Sequence, residues 1–493
     1  MITEICNQIY KGEHLRENLI ELNRQIREDE ALDLFLDEYY ENEPTFIHLL
    51  DDTDPKVRKN VIKLMAKVAD QVLMDTLYDH YEKDDTQFLK AEYLTAFEAF
   101  DYTKYLPRLK ERRFVLESKE KTKHVLDELK HIKRLIWKIE PPKRHTFSGY
   151  DLENHLLFIV PRGFEPIFMG QLNGMADTTA KSITGGCLVQ TKHLLEISKL
   201  RTYQAVLFDA FPKLLIPADG CQIGEALLKH GLIDYLKARH SEKAPFFFRT
   251  EIKGINDIRL KNKLSADLSH YLEENSEGML ENEPSFYEIE VRVITGKNGC
   301  RIFLKFMCMT DDRFKYRKYV TASSMQPSRA AMILNEAKDY LRKDANVLDP
   351  FCGTGTLLIE RAKLMESRSL YGLDISAPAI QAAWENSQRA DVIINLIQRN
   401  FNDFRHEYKF DEVITDFPRK SENRFQAQIE SLYYMFFEQC QRIVADQGIL
   451  VLYTEENRLI DRILKTRDEF EQIDKHSIGK SDTSWIYVIK KIK

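Results

Sequence analysis

Glycine is nearly absent from the first 140 residues of this 493-residue chain, where Gly12 stands alone. A stretch with so few chain-bending positions reads as helix after helix rather than strands joined by tight turns. Cysteine is also scarce: the seven stand singly, at 6, 187, 221, 300, 308, 352 and 440. No Cys-x-x-Cys pair suggests zinc, so no metal is expected, and an odd number of scattered thiols argues against a disulfide framework. The compartment read from this is reduced and cytoplasmic. No apolar run approaches the roughly 18 residues of a membrane span. The opening Met1-Ile2-Thr3-Glu4 has neither the basic nor the apolar part of a secretory leader. No membrane partner is expected.

What is present suits a soluble chain of two to four domains, with 43% hydrophobic and 30% charged residues. The net charge of −6 is unevenly spread: residues 1–106 hold 24 acids against 12 bases, which leaves the remainder about +6. The rear of the chain is therefore the side to test for RNA, with two solvated surfaces of opposite sign as the plainer account.

Within the glycine-poor front, Asp52-Thr53-Asp54-Pro55 opens a helix over Val57–Val68, with an acidic cap and a proline in its first turn. About 32 residues later Asp84-Asp85-Thr86-Gln87 opens another, Phe88–Phe100, aligning Val57 with Leu89, Arg58 with Lys90 and Met65 with Phe97. This period resembles HEAT-type repeats. Arg108–His145 reads as one long helical segment rich in bases, among them Lys119, Lys121, Lys123, Lys130, Lys133 and Arg134. A solvated helix face is the plain reading of that run. Pro141-Pro142 ends it, and Phe147-Ser148-Gly149-Tyr150 reads as a linker.

From 155 the periodicity becomes that of strands: His155–Pro161, the turn Gly185-Gly186 into Cys187-Leu188-Val189, Phe246–Glu251, Tyr287–Thr295 and its hairpin partner Cys300–Met307. Helices are expected after Arg162-Gly163-Phe164-Glu165, over Ala205–Phe211 and over Ile258–Glu273.

The most informative stretch is Val347-Leu348-Asp349-Pro350-Phe351-Cys352-Gly353-Thr354-Gly355-Thr356. A strand ends, an acid follows, and a Gly-x-Gly turn leads into the helical run Leu357–Lys363, which in a doubly wound sheet lies at the ligand-binding carboxyl edge. Alone, a Gly-x-Gly is equally an ordinary strand–helix turn. Three further strand ends follow in order: Leu370–Asp374, Asn402-Asp403 after Val392–Phe401, and Phe410–Asp416 running into Phe417-Pro418. Each acid could instead be a helix cap; four caps at four successive strand ends is the less economical account.

This series resembles class I, Rossmann-like methyltransferases that use S-adenosylmethionine, and Asp-Pro-Phe-Cys-Gly-Thr-Gly-Thr is similar to the branch acting on exocyclic amines of bases. The middle of the chain, with Arg-Gly-Phe-Glu at 162–165 and Leu-Arg-Thr at 200–202, resembles the ferredoxin-like and THUMP-like modules of RNA (guanine-N2) methyltransferases. The resemblance covers about 155–493. Three domains are expected: 1–145, outside that resemblance, helical and HEAT-like from its own period; and, as the resemblance implies, 151–320 ferredoxin-like plus THUMP-like for RNA binding and 321–493 a doubly wound methyltransferase domain with a seven-strand sheet closed by a hairpin of Glu471–Ile478 and Ser484–Ile489.

It further implies that Asp349, Pro350, Phe351, Cys352, Gly353, Thr354, Gly355 and Thr356 line the cofactor, with Asp374 on its ribose and Asp403 on its adenine amine. Asp416 through its carboxylate and Phe417 through its carbonyl would hold the target amine, beside Pro418 and Arg419. The usual pattern there is Asn or Asp, then Pro-Pro, then an aromatic. Here the first proline is Phe417 and the aromatic is Arg419, which could stack its guanidinium plane on a base. The implied activity is methylation of a guanine amine, in tRNA ahead of ribosomal RNA, with a protein partner at the repeats. Two alternatives stay open: a degenerate homologue serving as an RNA-binding or assembly factor, and a DNA amine methyltransferase. Arg313-Phe314-Lys315-Tyr316-Arg317-Lys318-Tyr319, and Lys253, Arg259, Lys261 and Lys263, are candidate RNA contacts; ordinary interdomain strand and solvated surface are the plainer accounts.

Overall fold

Residues 2–26, 29–120, 122–241, 245–321, 324–419, 426–479 and 484–493 are described by the computed structural model, so Lys121 of the basic run and Ala322 of the connection before Pro327 lie outside it. The chain divides into two units, Met1–Lys143 and Arg144–Lys493.

The first unit is built from α1 (Ile2–Tyr10), α2 (Leu15–Gln25), α3 (Asp29–Glu41), α4 (Glu43–His48), α5 (Pro55–Val68), α6 (Leu73–Lys83), α7 (Gln87–Phe97), α8 (Leu106–Glu117) and α9 (Lys123–Ile139). Asp54 caps α5 by accepting from the Lys56 amide at 2.8 Å. The aligned residues Val57, Leu89, Met65 and Phe97 are all buried. Their basic neighbours do matching work: Arg58 donates to the Asp52 carbonyl at 2.7 Å and pairs with Asp84 at 3.0 Å, while Lys90 donates to the Tyr81 carbonyl. The expected single segment over 108–145 is two helices, because α8 stops at Ser118 and Thr122 caps α9 through the Val125 amide. Some of its bases are paired: Lys110 with Glu140, Arg112 with Glu128 and Arg134 with Glu98. Lys133 is itself buried.

The second unit opens with β1 (Asn154–Ile159), α10 (Glu165–Leu172), β2 (Thr178–Ile183), β3 (Gly186–Thr191), α11 (Leu194–Ser198), β4 (Ala205–Phe208), α12 (Gly220–Lys229), α13 (Leu232–Arg239), β5 (Phe246–Lys253), α14 (Ile258–Asn275), β6 (Leu280–Asn282), β7 (Ile289–Gly296) and β8 (Gly299–Phe306). These strands form one sheet in the order β2-β3-β1-β4-β8-β7-β5-β6. The helix expected over Ala205–Phe211 is the strand β4, since four apolar residues carry no usable period and pairing with β1 and β8 decides the matter.

The remainder is α15 (Pro327–Glu336), β9 (Asn346–Asp349), α16 (Thr356–Leu364), β10 (Ser369–Asp374), α17 (Ala377–Ala390), β11 (Asn395–Gln398), β12 (Phe410–Asp416), α18 (Gln426–Ile443), β13 (Val444–Thr454), α19 (Asn457–Leu464), β14 (Phe470–Ile478) and β15 (Ser484–Lys491). Its seven-stranded sheet runs β11-β10-β9-β12-β13-β15-β14, parallel from β11 to β13, with β15 antiparallel to both of its neighbours, β13 and the edge strand β14. The chain winds outward from β9 to β11 and returns on the other side at β12, so the order reverses between β9 and β12, the position at which open α/β sheets take ligands beyond their strand ends.

Two buried ion-pair networks fix this frame. Arg361 on α16 and Glu412 on β12 are both fully buried, paired at 2.8 Å and 3.1 Å, with the Arg342 amide as a third donor to Glu412. Arg201 binds Glu360 at 2.6 Å and 2.7 Å, and the Tyr316 hydroxyl donates to the same carboxylate, tying the first sheet to α16. Arg313 is buried over the Tyr203 ring and donates to the carbonyls of Leu200 and Tyr203. The interleaved run 313–319 is thus partly a structural strut: Arg313 and Tyr316 face inward, while Lys315, Lys318 and Tyr319 are exposed.

Candidate active site

At the end of β9 the Asp349 side chain is 1% exposed; its Oδ1 accepts from Thr415 Oγ1 at 2.7 Å and the Phe351 amide at 3.1 Å. Burial pushes its carboxyl up to about 7; those two hydrogen bonds oppose the rise, and the charges of Asp416 and Asp374 add to it. The turn that follows needs positive φ at Gly353 (+51°) and Gly355 (+78°). A methyl group at Gly353 would meet nothing within 4 Å, so the turn borders open space there; at Gly355 it would press on Ala383 at 3.3 Å. Asp374, at the end of β10, shapes the same turn, with Oδ2 accepting from the Gly353 amide at 3.1 Å and Oδ1 from the Ser376 amide at 2.9 Å.

Behind the turn, Thr354 and Thr356 are buried, with hydroxyls 3.4 Å apart, and Cys352 is buried beside Gly372. Asn386 on α17, fully buried, spends all its hydrogen-bonding capacity on one clasp. It donates to the carbonyls of Thr354 (3.2 Å) and Tyr319 (2.8 Å) and accepts from the amides of Lys318 (3.2 Å) and Tyr319 (3.1 Å).

Asp416 closes β12, beside Thr415 and one strand from Asp349. Among the described residues its Oδ1 is buried and has no hydrogen-bond partner. Burial pushes its carboxyl up to about 6; Arg419 and Arg329 hold it down and Glu455 pushes it up. Arg419 is exposed, with Nη2 3.8 Å from Asp416 Oδ1, Nη1 3.1 Å from Glu455 Oε1, and its guanidinium 5.7 Å from the centre of the Tyr453 ring. Phe417 is buried, stacked on Tyr433 at 4.0 Å and packed edge-on against Phe436. The ring therefore belongs to an aromatic core, which leaves the expected role of its backbone carbonyl untouched. Pro418 is half-buried between them.

The fold thus brings Asp349, the Gly353–Gly355 turn, Asp374 and Asp416 together. Asp403 is exposed at the end of a 3-10 turn (Phe401–Asp403) whose Phe401 ring lies 6.0 Å from that of Phe351 in the Asp349 loop. Its neighbour Asn402 contacts the Met435 sulfur, and Met435 is 38% exposed. Lys253 and Lys261 both pair with Glu251, which leaves Arg259 and Lys263 as the exposed bases of that surface. Sequence reasoning missed Thr415, Asn386, Arg329, Tyr453 and Glu455; Thr415 alone had a local signal, one residue before a strand-end acid. A cavity of about 540 Å³ lies elsewhere, beside β4 and β8 among Tyr150, Lys199, Tyr203, Lys305 and Met307.

No cation among the described residues forms an ion pair with Asp349 or Asp374, and an acceptor is left over on Asp416. Such a donor set suits a ligand that brings positive charge and hydroxyl or amine hydrogens. Among the described residues no cluster of His, Cys, Asp and Glu is placed to hold a metal ion, and no helix is long and apolar enough to cross a membrane.

The chain is similar to the tRNA (guanine(10)-N2)-dimethyltransferase of Methanothermobacter thermautotrophicus, 29% identical over 182 residues, 36% of this chain and 52% of that protein. The chain thus spans about half the length of that curated relative. TrmN from Thermus thermophilus superimposes with a TM-score of 0.54 at 17% identity, covering 69% of this chain and 99% of TrmN; SMU.472, complexed with SAH, does so with 0.54 at 14%, covering 69% and 98%. These likenesses show a shared fold. Residues 315–485, which carry the whole strand-end site, match the family model of the RMKL-like methyltransferase domain.

Proposed function

We propose that the protein is an S-adenosylmethionine-dependent RNA methyltransferase acting on the exocyclic N2 amine of a guanine, in tRNA ahead of ribosomal RNA. The observation that carries this reading is the unpartnered, buried Asp416 Oδ1 at the reversal of strand order, next to a glycine turn ringed by acids. The named relatives agree with it in reaction and in substrate class.

S-adenosylmethionine supplies a methyl group already activated on a sulfonium, so the protein's part is to position the reactants. Asp349, with Pro350, Phe351 and Cys352 behind it, sets the first turn; the backbone from Gly353 to Thr356 lines the methionine part. Asp374 has acceptor capacity left for ribose hydroxyls, and Asp403 serves the adenine amine. A guanine amine is a weak nucleophile because its lone pair is delocalised into the ring. Asp416 accepts a hydrogen bond from it, helps the nitrogen pyramidalise, and takes the proton released as nitrogen gains its methyl, passing it to water. Phe417 contributes its carbonyl and anchors the loop, Pro418 stiffens it, and Arg419 stacks on the flipped base.

In the same reading, 151–320 is the ferredoxin-like and THUMP-like RNA-binding module and 321–493 the catalytic domain. Residues 1–145 form the HEAT-like array, and its acidic part, 1–106, suits a protein partner rather than RNA. The setting is the cytoplasm. A second reading, a degenerate homologue that binds RNA without turnover, is favoured by Arg419 leaning on the acceptor that the amine needs.

Transfer of labelled methyl to total RNA from a strain lacking this protein tests both. Transfer by the wild type that Asp416→Ala abolishes is expected, and digestion of the product names the base. Cofactor binding without transfer to any RNA fraction would favour the second reading.

A further inference from the structure

Two arginines face one carboxylate, and they are held in opposite ways. Arg419 lies on the loop after β12, 43% exposed, and divides itself between Asp416 and Glu455. Arg329 comes from the first turn of α15 and is half-buried; its Nη1 donates to the Tyr453 hydroxyl at 3.3 Å. Tyr453 is itself buried and sits directly beside Asp416 in the pairing of β12 with β13. Among the described residues, Arg329 Nε is buried without a hydrogen-bond partner, as is Asp416 Oδ1. An unmatched buried donor and an unmatched buried acceptor at one site each cost stability, which asks for a functional reason.

The other groups around Asp416 do not neutralise it. Glu455 follows β13, Asp349 ends β9, and the Tyr433 hydroxyl on α18 exchanges a hydrogen bond with Thr454. A base that enters from solvent must take the face where Arg419 leans. Arg419 has Glu455 to retreat to; Arg329, packed and anchored, has nowhere to go.

We propose that Arg329 is a positioning residue that keeps the Asp416 carboxylate charged and aimed while the target base takes the place of Arg419. The proposal rests on reading the site as that of a base-amine methyltransferase. The upward push of burial on the Asp416 carboxyl makes the need concrete, since a protonated acid there offers the amine a poorer acceptor.

The test uses the full chain and total RNA from a strain lacking the protein, with methyl transfer followed from pH 5 to 9 for wild type, R329M, R329K and R419A. The profile of kcat/KM reports the free enzyme and that of kcat the complex. R329M is expected to move the acid-side rise of both profiles upward by about one pH unit, while R419A moves only that of kcat/KM. R329K, which keeps the charge, should restore most of the wild-type profile. Calorimetric affinity for S-adenosylmethionine, unchanged in each variant, establishes that the fold is retained. A kcat profile that R329M leaves in place, or that R419A moves as far, overturns the proposal and leaves the methyltransferase reading standing. A wild type that transfers methyl to no RNA removes both.

Discussion

β12 carries two carboxylates four residues apart, one fully buried and one partly so, and the protein treats them oppositely. Glu412 is fully buried and completely matched, by both arms of Arg361 and by the Arg342 amide. Asp416 keeps an unmatched oxygen and shares its two arginines with Tyr453 and Glu455. The lesson is that one strand spends its saturated charge on holding α16 in place and its unsaturated charge on an incoming partner. A carboxylate's chemistry here is set by what its neighbours leave undone.

Substitutions at the two ends should separate these roles. Asp416→Ala should lower methyl transfer by about 10²–10⁴-fold with little loss of stability, read from initial rates beside a thermal melt. Arg361→Met leaves Glu412 buried and unpaired, and should cost about 3–5 kcal/mol in urea unfolding. A melt as depressed in the first variant as in the second would erase the contrast.

Asp349 lies between the two cases, with hydrogen bonds but no cation. Its carboxyl holds its proton up to about pH 7 when folded, whereas an unfolded aspartate releases it near pH 4. Between those values the native state binds more protons than the unfolded state, so this group's contribution to stability falls as pH rises and is lowest above 7. Asp349→Asn should flatten that decline, a difference on the order of 3 kcal/mol across the window, seen by denaturant titrations at pH 4.5 and 7.5. Asn386→Ala should have the smallest effect, about 1–3 kcal/mol, with faster hydrogen exchange at the Tyr319 and Lys318 amides.

The strand-end acids could be read from the sequence because each is announced locally, by an apolar run before it and a turn after it. The final hairpin, β14 with β15, was legible for the same reason. Ala205–Phe208 was not, since its state is decided by β1 and β8, the latter about a hundred residues away. The packing of the Phe417 ring was not legible, because the chain order beside Asp416 does not reveal the aromatic pocket formed by Tyr433 and Phe436. Arg329 and Asn386 escaped notice altogether. Each is a lone polar residue on a helix, and only the packing of that helix against distant segments gives it a task. The pairing within the basic runs was not legible, since partners such as Glu98 for Arg134 stand far along the chain.

The clasp made by Asn386 has a consequence for how two occupants of this molecule would sense each other. One side chain grips the carbonyl inside the glycine turn and, with its remaining bonds, the backbone of the segment that displays Lys318 and Tyr319. Neither can shift without breaking bonds that belong to the other. Whatever orders the turn therefore lowers the entropic cost of ordering the segment, and thermodynamic reciprocity requires the converse in equal measure. A single asparagine makes the two surfaces partners in affinity.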